Sequence, residues 1–214
     1  MNILDSRFYA VVDRLSNLFI LNLFWIISCL PIVTIAPATS AMYSVVRQWK
    51  LNQDTSVVRN YFRYFKENFK QSFLIGIIWM LMAVLLYFNY FYLNQDQSGL
   101  KFLLMVPLVI VSLLFLIIST FLFPVMTHYN ATWKGAIKSS FFLAVANFPS
   151  TILILGVLAI LTVILIYLPA TSLIIYSVGA YINFSLCNRV FHINEQVAIN
   201  NHEILENYVI EKII

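Results

Sequence analysis

The amino-acid sequence predicts an all-α integral membrane protein with five transmembrane helices, and three observations carry that prediction. Hydrophobic side chains make up 61% of the 214 residues and charged ones only 10%, against roughly 25% charged in a soluble domain. The charges are also clustered, with none in 15–46, 71–95, 102–133 or 139–188, and each of those stretches exceeds the roughly 20 residues that cross a bilayer. Finally, the stretches are apolar all round rather than alternating, which argues against a membrane β-barrel.

The first span is read as 15–36. It is long, follows two acids and two bases, and contains Asn17, Asn22 and Pro31, so it reads as a retained helix rather than a cleaved signal peptide. The second and third spans are 73–93 and 102–123. The last uncharged stretch covers 50 residues, too many for one helix through roughly 30 Å of hydrocarbon. It divides at Leu168-Pro169-Ala170-Thr171 into spans 150–168 and 171–188 joined by a tight turn. Cys29 and Cys187 fall in or at the end of spans, where a thiol acts as a small packing residue. The whole chain, 1–214, reads as one membrane domain.

Orientation follows the positive-inside count. Five spans put Arg7, Arg14 and Lys101 on one side, and Arg47, Lys50, Arg59, Arg63, Lys66, Lys70, Lys134, Lys138, Arg189 and Lys212 on the other. Ten against three predicts a multi-pass protein of the bacterial inner membrane, with the N-terminus outside and the C-terminus in the cytoplasm.

The cytoplasmic loop 41–70 contains an amphipathic helix from Thr55 to Lys70, with Asp54 as its N-cap. At 100° per residue, Tyr61, Phe62, Phe65 and Phe69 share an apolar face, flanked by Arg59, Arg63, Lys66 and Lys70. Arg59, Arg63, Lys66, Lys70, Phe62, Phe65 and Phe69 are therefore candidates for docking on anionic lipid head groups or on a protein partner. Nucleic acid is excluded as a partner, because no phosphate-binding loop or stacking platform accompanies the cations. A second amphipathic helix, acidic through Glu195, Glu203, Glu206 and Glu211, is predicted over 194–214.

Two pairs of segments look alike. Phe65-Lys66-Glu67-Asn68-Phe69-Lys70-Gln71-Ser72-Phe73 matches Trp133-Lys134-Gly135-Ala136-Ile137-Lys138-Ser139-Ser140-Phe141, and Leu30-Pro31-Ile32-Val33-Thr34 matches Phe123-Pro124-Val125-Met126-Thr127. The expectation is two parallel-repeat helix hairpins plus one helix, an arrangement found in transporters. Pro31, Thr34, Pro37, Thr39, Pro124, Thr127 and Thr132 become candidates for a cavity or kink, since proline releases a carbonyl that a hydroxyl can satisfy.

No ionisable residue lies inside a span before Arg189, which argues against an ion-coupled pump. His128, His192 and His202 have neither HExxH spacing nor a nearby cysteine, and no nucleophile elbow or phosphate loop is present. Gly76, Gly156 and Gly179 lack GxxxG spacing. The chain is therefore expected to have no catalytic residues, no metal and no cofactor.

The segment Pro37-Ala38-Thr39-Ser40-Ala41-Met42-Tyr43, followed by Val45-Val46-Arg47 and the Phe/Arg/Lys-rich run to Phe73, resembles the signature of bacterial YesL-like proteins, domain-of-unknown-function family 624. Ala36 stands where that pattern has glycine. The resemblance implies a Gram-positive membrane protein encoded beside carbohydrate importers and glycan-degrading enzymes. It implies a role in sugar uptake and supplies no catalytic residues. The expectation is a non-enzymatic accessory of a bacterial oligosaccharide import system, touching its permease subunits; the alternative is a small transporter or channel with its path between the two hairpins.

Overall fold

The computed structural model describes residues 3–51, 56–95, 100–129 and 132–213, which contain helices and turns and no strand. The α-helices are α1 (Ile3–Ser28), α2 (Ile35–Lys50), α3 (Val57–Gln95), α4 (Leu100–Tyr129), α5 (Trp133–Ala146), α6 (Phe148–Tyr167) and α7 (Ile175–Ile213), with 3-10 turns at Ile32–Thr34 and Pro169–Leu173. Four of the helices are long and apolar enough to cross a membrane: α1 over Val11–Ser28, α3, α4 and α6. The chain is an all-α, multi-pass membrane protein. By length and composition the head of α7, the expected fifth span, is not among the four, since Asn183, Asn188 and Arg189 dilute its apolar side chains, so five spans are not shown among the described residues.

The largest departure from expectation is α2. Residues 15–36 are not one span: the chain leaves α1 after Ser28, and Pro31, which has no N–H to donate, stands before the 3-10 turn. The Thr34 hydroxyl lies 2.6 Å from both Ser28 O and Pro31 O, satisfying carbonyls that the turn would strand in hydrocarbon. Pro37 then falls in the first turn of α2, where the missing N–H costs nothing. Helix α2 runs back beside α1. Trp25 Nε1 donates to Thr39 Oγ1 at 3.1 Å, and Arg14 and Lys50 both sit over the Tyr181 ring, at 5.7 and 4.3 Å from its centroid.

The supposed amphipathic loop 41–70 is likewise two pieces: most of α2, and the head of α3. The apolar face of 57–70 propagates without a break into the following apolar run, giving one helix of 39 residues, roughly 58 Å long at 1.5 Å per residue. Asp54 lies outside the described residues.

Helices α2 and α3 are antiparallel in a constant register. Gly76 faces Ala36, Asn68 Nδ2 donates to Ser44 Oγ at 3.2 Å, and the Tyr64 hydroxyl donates to Gln48 Oε1 at 3.0 Å. Helix α4 is antiparallel to α3, since Ser72 meets Met126 and Trp79 Nε1 donates to Ser119 Oγ at 2.8 Å. It is parallel to α7, with Asn183 on Thr120 and His128 on Glu195. Thus α1 begins and α7 ends at the end of the bundle where α3 begins, called the basic end below. Helix α2 returns the chain once more than a count of apolar runs allows, so that count does not by itself set which helix ends share a side.

The same reversal removes the parallel repeat. Leu30–Thr34 forms the turn away from the basic end, whereas Phe123–Thr127 lies in the last turns of α4 at that end, so no common orientation superposes the two. The segment before span 150–168 is a separate helix, α5, whose first turn is capped by Thr132 Oγ1 accepting from Gly135 N at 3.4 Å. Asn147 breaks the helix with φ −115° and ψ 48°, and Thr151 Oγ1 donates back to Ala144 O at 2.8 Å across the break. The tight turn at Pro169 is present. The separate helix 194–214 is not, because α7 continues unbroken to Ile213; Glu203, Glu206 and Glu211 carry side chains outside the described set.

Candidate functional site

Helix α2 organises the site. Eleven of its 16 residues are buried, and its small side chains explain how. Ala36, Ser40 and Ser44 recur every four residues on the face toward α3, opposite Gly76, Ser72 and Asn68. Small residues at this spacing let helix backbones approach closely in a membrane. A Cβ on Gly76 would stand 2.5 Å from Ala36 Cβ, so Ala36 is accommodated by a glycine on the facing helix. The signal for this contact was present in the sequence as a small-x-x-x-small run, but a search for glycine pairs passes over it.

Beside this face, Tyr43 of α2 enters a buried polar network. Asn183 Nδ2 donates to the Tyr43 hydroxyl at 2.8 Å and to Thr120 O at 3.1 Å, while Asn183 Oδ1 accepts from Cys187 Sγ at 3.3 Å. Asn183, Tyr43, Thr120 and Cys187 are all buried, and together they tie α2, α4 and α7 to one point. Asn22 makes a second tie, donating to Ser172 O at 2.9 Å and accepting from Ser177 N at 3.1 Å. These asparagines act as interhelical glue, each contact of this kind contributing on the order of 1 kcal/mol.

Two apolar clefts of about 340 Å³ flank the start of α2. One lies against α3 and α4, with Ile32, Val33, Ala36, Met80 and Phe115 in its walls; the other lies against α6 and α7, with Trp25, Leu161 and Tyr176. Thr39 lines both, and its hydroxyl is engaged with Ile35 O at 2.7 Å and with Trp25 Nε1.

Of the proposed cavity or kink residues, Thr39 alone borders both clefts. Pro31, Thr34 and Pro37 lie at the α1–α2 turn, and Pro124 and Thr127 at the basic end of α4, where the Thr127 hydroxyl lies 3.0 Å from Phe123 O and 3.1 Å from Pro124 O. Thr132 caps α5. The cleft against α3 and α4 has Ile32, Val33 and Phe123 in its walls, but of the proposed residues only Thr39 lines it.

The proposed docking residues do share one segment, the head of α3. Arg59, Arg63, Lys66 and Lys70 are exposed there. Arg63 donates to the Tyr64 hydroxyl at 2.9 Å and lies 4.0 Å from Glu67. The aromatics do not all lie at the surface as expected: Tyr61 is fully buried, Phe65 and Phe69 are half-buried, and Phe62 is exposed. Tyr61, Phe65, Phe69 and Phe73 form a ladder of rings 6.3, 5.5 and 5.7 Å apart, with Phe24 of α1 at 6.0 Å from Tyr61. Packing against α1 and α2 claims the aromatic face and leaves the cations outward.

Sequence spacing also kept the histidines apart, whereas the fold joins two of them. His128 lies 3.3 Å and His192 3.8 Å from the Glu195 carboxylate. No group of three His, Cys, Asp or Glu among the described residues could hold a metal ion.

Residues 18–90, which comprise the last part of α1, all of α2 and nearly all of α3, match the family described as protein of unknown function, DUF624. Similarity to curated proteins extends further. The Bacillus subtilis (strain 168) protein described as uncharacterized protein YesL is 29% identical over 174 residues, 80% of this chain and 81% of its own length. Uncharacterized protein YteU of the same organism is 29% identical over 76% of this chain and 73% of its own length, and uncharacterized protein YesV is 29% identical over 44% and 46%. No solved structure matches the chain significantly. The small-residue face of α2 and the aromatic ladder of α3 both lie inside the segment that matches DUF624, and the chain is similar to YesL over most of its length.

Proposed function

We propose that the chain is a non-enzymatic accessory membrane protein of a bacterial carbohydrate import system, docking on its permease subunits through the basic end. The observation that carries this reading is the head of α3, where four exposed cations stand on a helix whose other face is held against α1 and α2 by the aromatic ladder. A rigid helix presenting charge is suited to recognising another protein at the membrane surface. The family resemblance supplies the sugar-uptake context.

Orientation belongs to the same proposal. With α1 starting at the basic end, Arg7 and Arg14 join the ten cations already there, so twelve of the 13 lie on one side and Lys101 alone on the other. By the positive-inside rule the basic end faces the cytoplasm, and α1 starts from that side rather than from outside. Anionic head groups of that leaflet are natural partners for cations that the permease leaves uncovered.

The small-transporter alternative is less well supported, because the clefts beside α2 are apolar and the Thr39 hydroxyl in their walls is already engaged. Sugar flux into reconstituted vesicles at a rate above protein-free controls would restore it. The accessory reading is tested by affinity purification from native membranes in mild detergent. Importer subunits should co-purify with the wild type and be lost with Arg59→Gln, Arg63→Gln, Lys66→Gln and Lys70→Gln combined; their absence from the wild-type sample sinks the reading.

A further inference from the structure

The α1–α2 turn does not accompany α3 to its far end. Ala36 packs on Gly76, and α3 then runs 19 residues further to Gln95, roughly 28 Å at 1.5 Å per residue. Helix α4 pairs with α3 beyond that point through Ser119 and Phe115 on Trp79. The α3–α4 hairpin therefore continues past the turn, and the step between them is the cleft of about 340 Å³, more than twice the roughly 150 Å³ that holds a benzene in an engineered apolar cavity.

The walls define what can fill it. Ile32, Val33, Ile75, Met80 and Phe115 offer only apolar side chains. The polar atoms that reach the cleft are already engaged, with Trp79 Nε1 on Ser119 Oγ and the Thr39 hydroxyl on Ile35 O and Trp25. An occupant with hydroxyls, such as a sugar, would leave them unpaired at a cost of roughly 1–3 kcal/mol each. An alkyl chain loses nothing. The cleft also runs into the exposed apolar surface of Met80, Leu81 and Leu85 on a helix of membrane-crossing composition, so lipid tails are the solvent at its mouth.

We infer that this cleft is a binding site for one acyl chain of a membrane lipid, with the chain lying along α3 and α4 and its end seated over the α1–α2 turn. The test uses the full chain reconstituted in vesicles of phosphatidylcholine carrying a photoactivatable diazirine in mid-acyl chain, with adducts mapped by mass spectrometry. Adducts should be enriched at Val33 and Met80 over Leu103, which is more exposed than either but outside the cleft. Ala83→Phe, which fills the cleft from an exposed wall position, should lower the Val33 and Met80 adducts by about tenfold, a loss of ~1.4 kcal/mol, and leave Leu103 labelling unchanged. Val84→Phe, on the same helix but not in the cleft wall, should change neither. Uniform labelling along the hairpin, enrichment that survives Ala83→Phe, or a fall at Leu103 equal to that at Val33 would each overturn the site.

Discussion

The two ends of the bundle are built differently. At the basic end, α2 is enclosed by α1, α3, α4 and α7, and the buried residues of α3, namely Val57, Asn60, Tyr61, Ser72 and Ile75, all precede Gly76. Away from it, α3 from Gly76 and α4 before Thr120 contain no buried residue among those described. Both regions are apolar, so hydrophobicity does not separate them. Small side chains and asparagines do: the packed end has Ala36, Ser40, Ser44, Gly76, Asn22 and Asn183, whereas 77–88 and 102–118 are almost wholly large aliphatic and aromatic residues. In a bilayer, where lipid tails are as apolar as leucine, close approach and hydrogen bonds bring helices together, and large apolar faces are satisfied by lipid.

Substitutions should reproduce this contrast. The largest effect is expected for Gly76→Leu, whose side chain has no room against Ala36; overpacking at a helix contact should cost ~3 kcal/mol or more, seen as loss of the monodisperse species in detergent. Asn183→Leu should come next at roughly 1–2 kcal/mol, since the Tyr43 hydroxyl loses its partner; the midpoint of thermal aggregation measures it. Arg63→Gln removes an exposed pair with Glu67 and should change that midpoint by at most ~0.5 kcal/mol. Leu85→Ala, on the lipid-facing half, should be within ~0.5 kcal/mol of the wild type, and a drop as large as that of Asn183→Leu would erase the distinction between the two ends.

The legibility of these regions in the sequence differed in the same way. Apolar stretches without charge revealed the membrane class, the α3–α4 hairpin, α6 and the Pro169 turn, because crossing a bilayer demands little beyond length and hydropathy. Helix α2 was hidden for the same reason: its first residues, Ile35 and Ala36, extend an apolar run, and nothing in hydropathy reports that Pro31 and Thr34 reverse the chain. Helix direction then propagated into the expected repeat, which assumed that α1 and α4 run the same way. The cations at 59, 63, 66 and 70 are exposed, and helical periodicity alone is enough to group them beside the apolar face. Their aromatic neighbours were assigned to lipid because periodicity marks a buried face without naming what buries it. The Asn183–Tyr43 contact, 140 residues apart, has no local signal at all.

Pairing of α2 with α3 is the central claim, and a cysteine pair tests it most directly. Ser44 and Asn68 touch through side chains 3.2 Å apart. With Cys29→Ala and Cys187→Ala as background, Ser44→Cys combined with Asn68→Cys should form an intramolecular disulfide when native membranes are oxidised, shifting mobility on non-reducing gels. A pair that stays reduced while the protein remains folded and membrane-inserted would contradict the antiparallel packing of α2 on α3, and with it the direction assigned to every later helix.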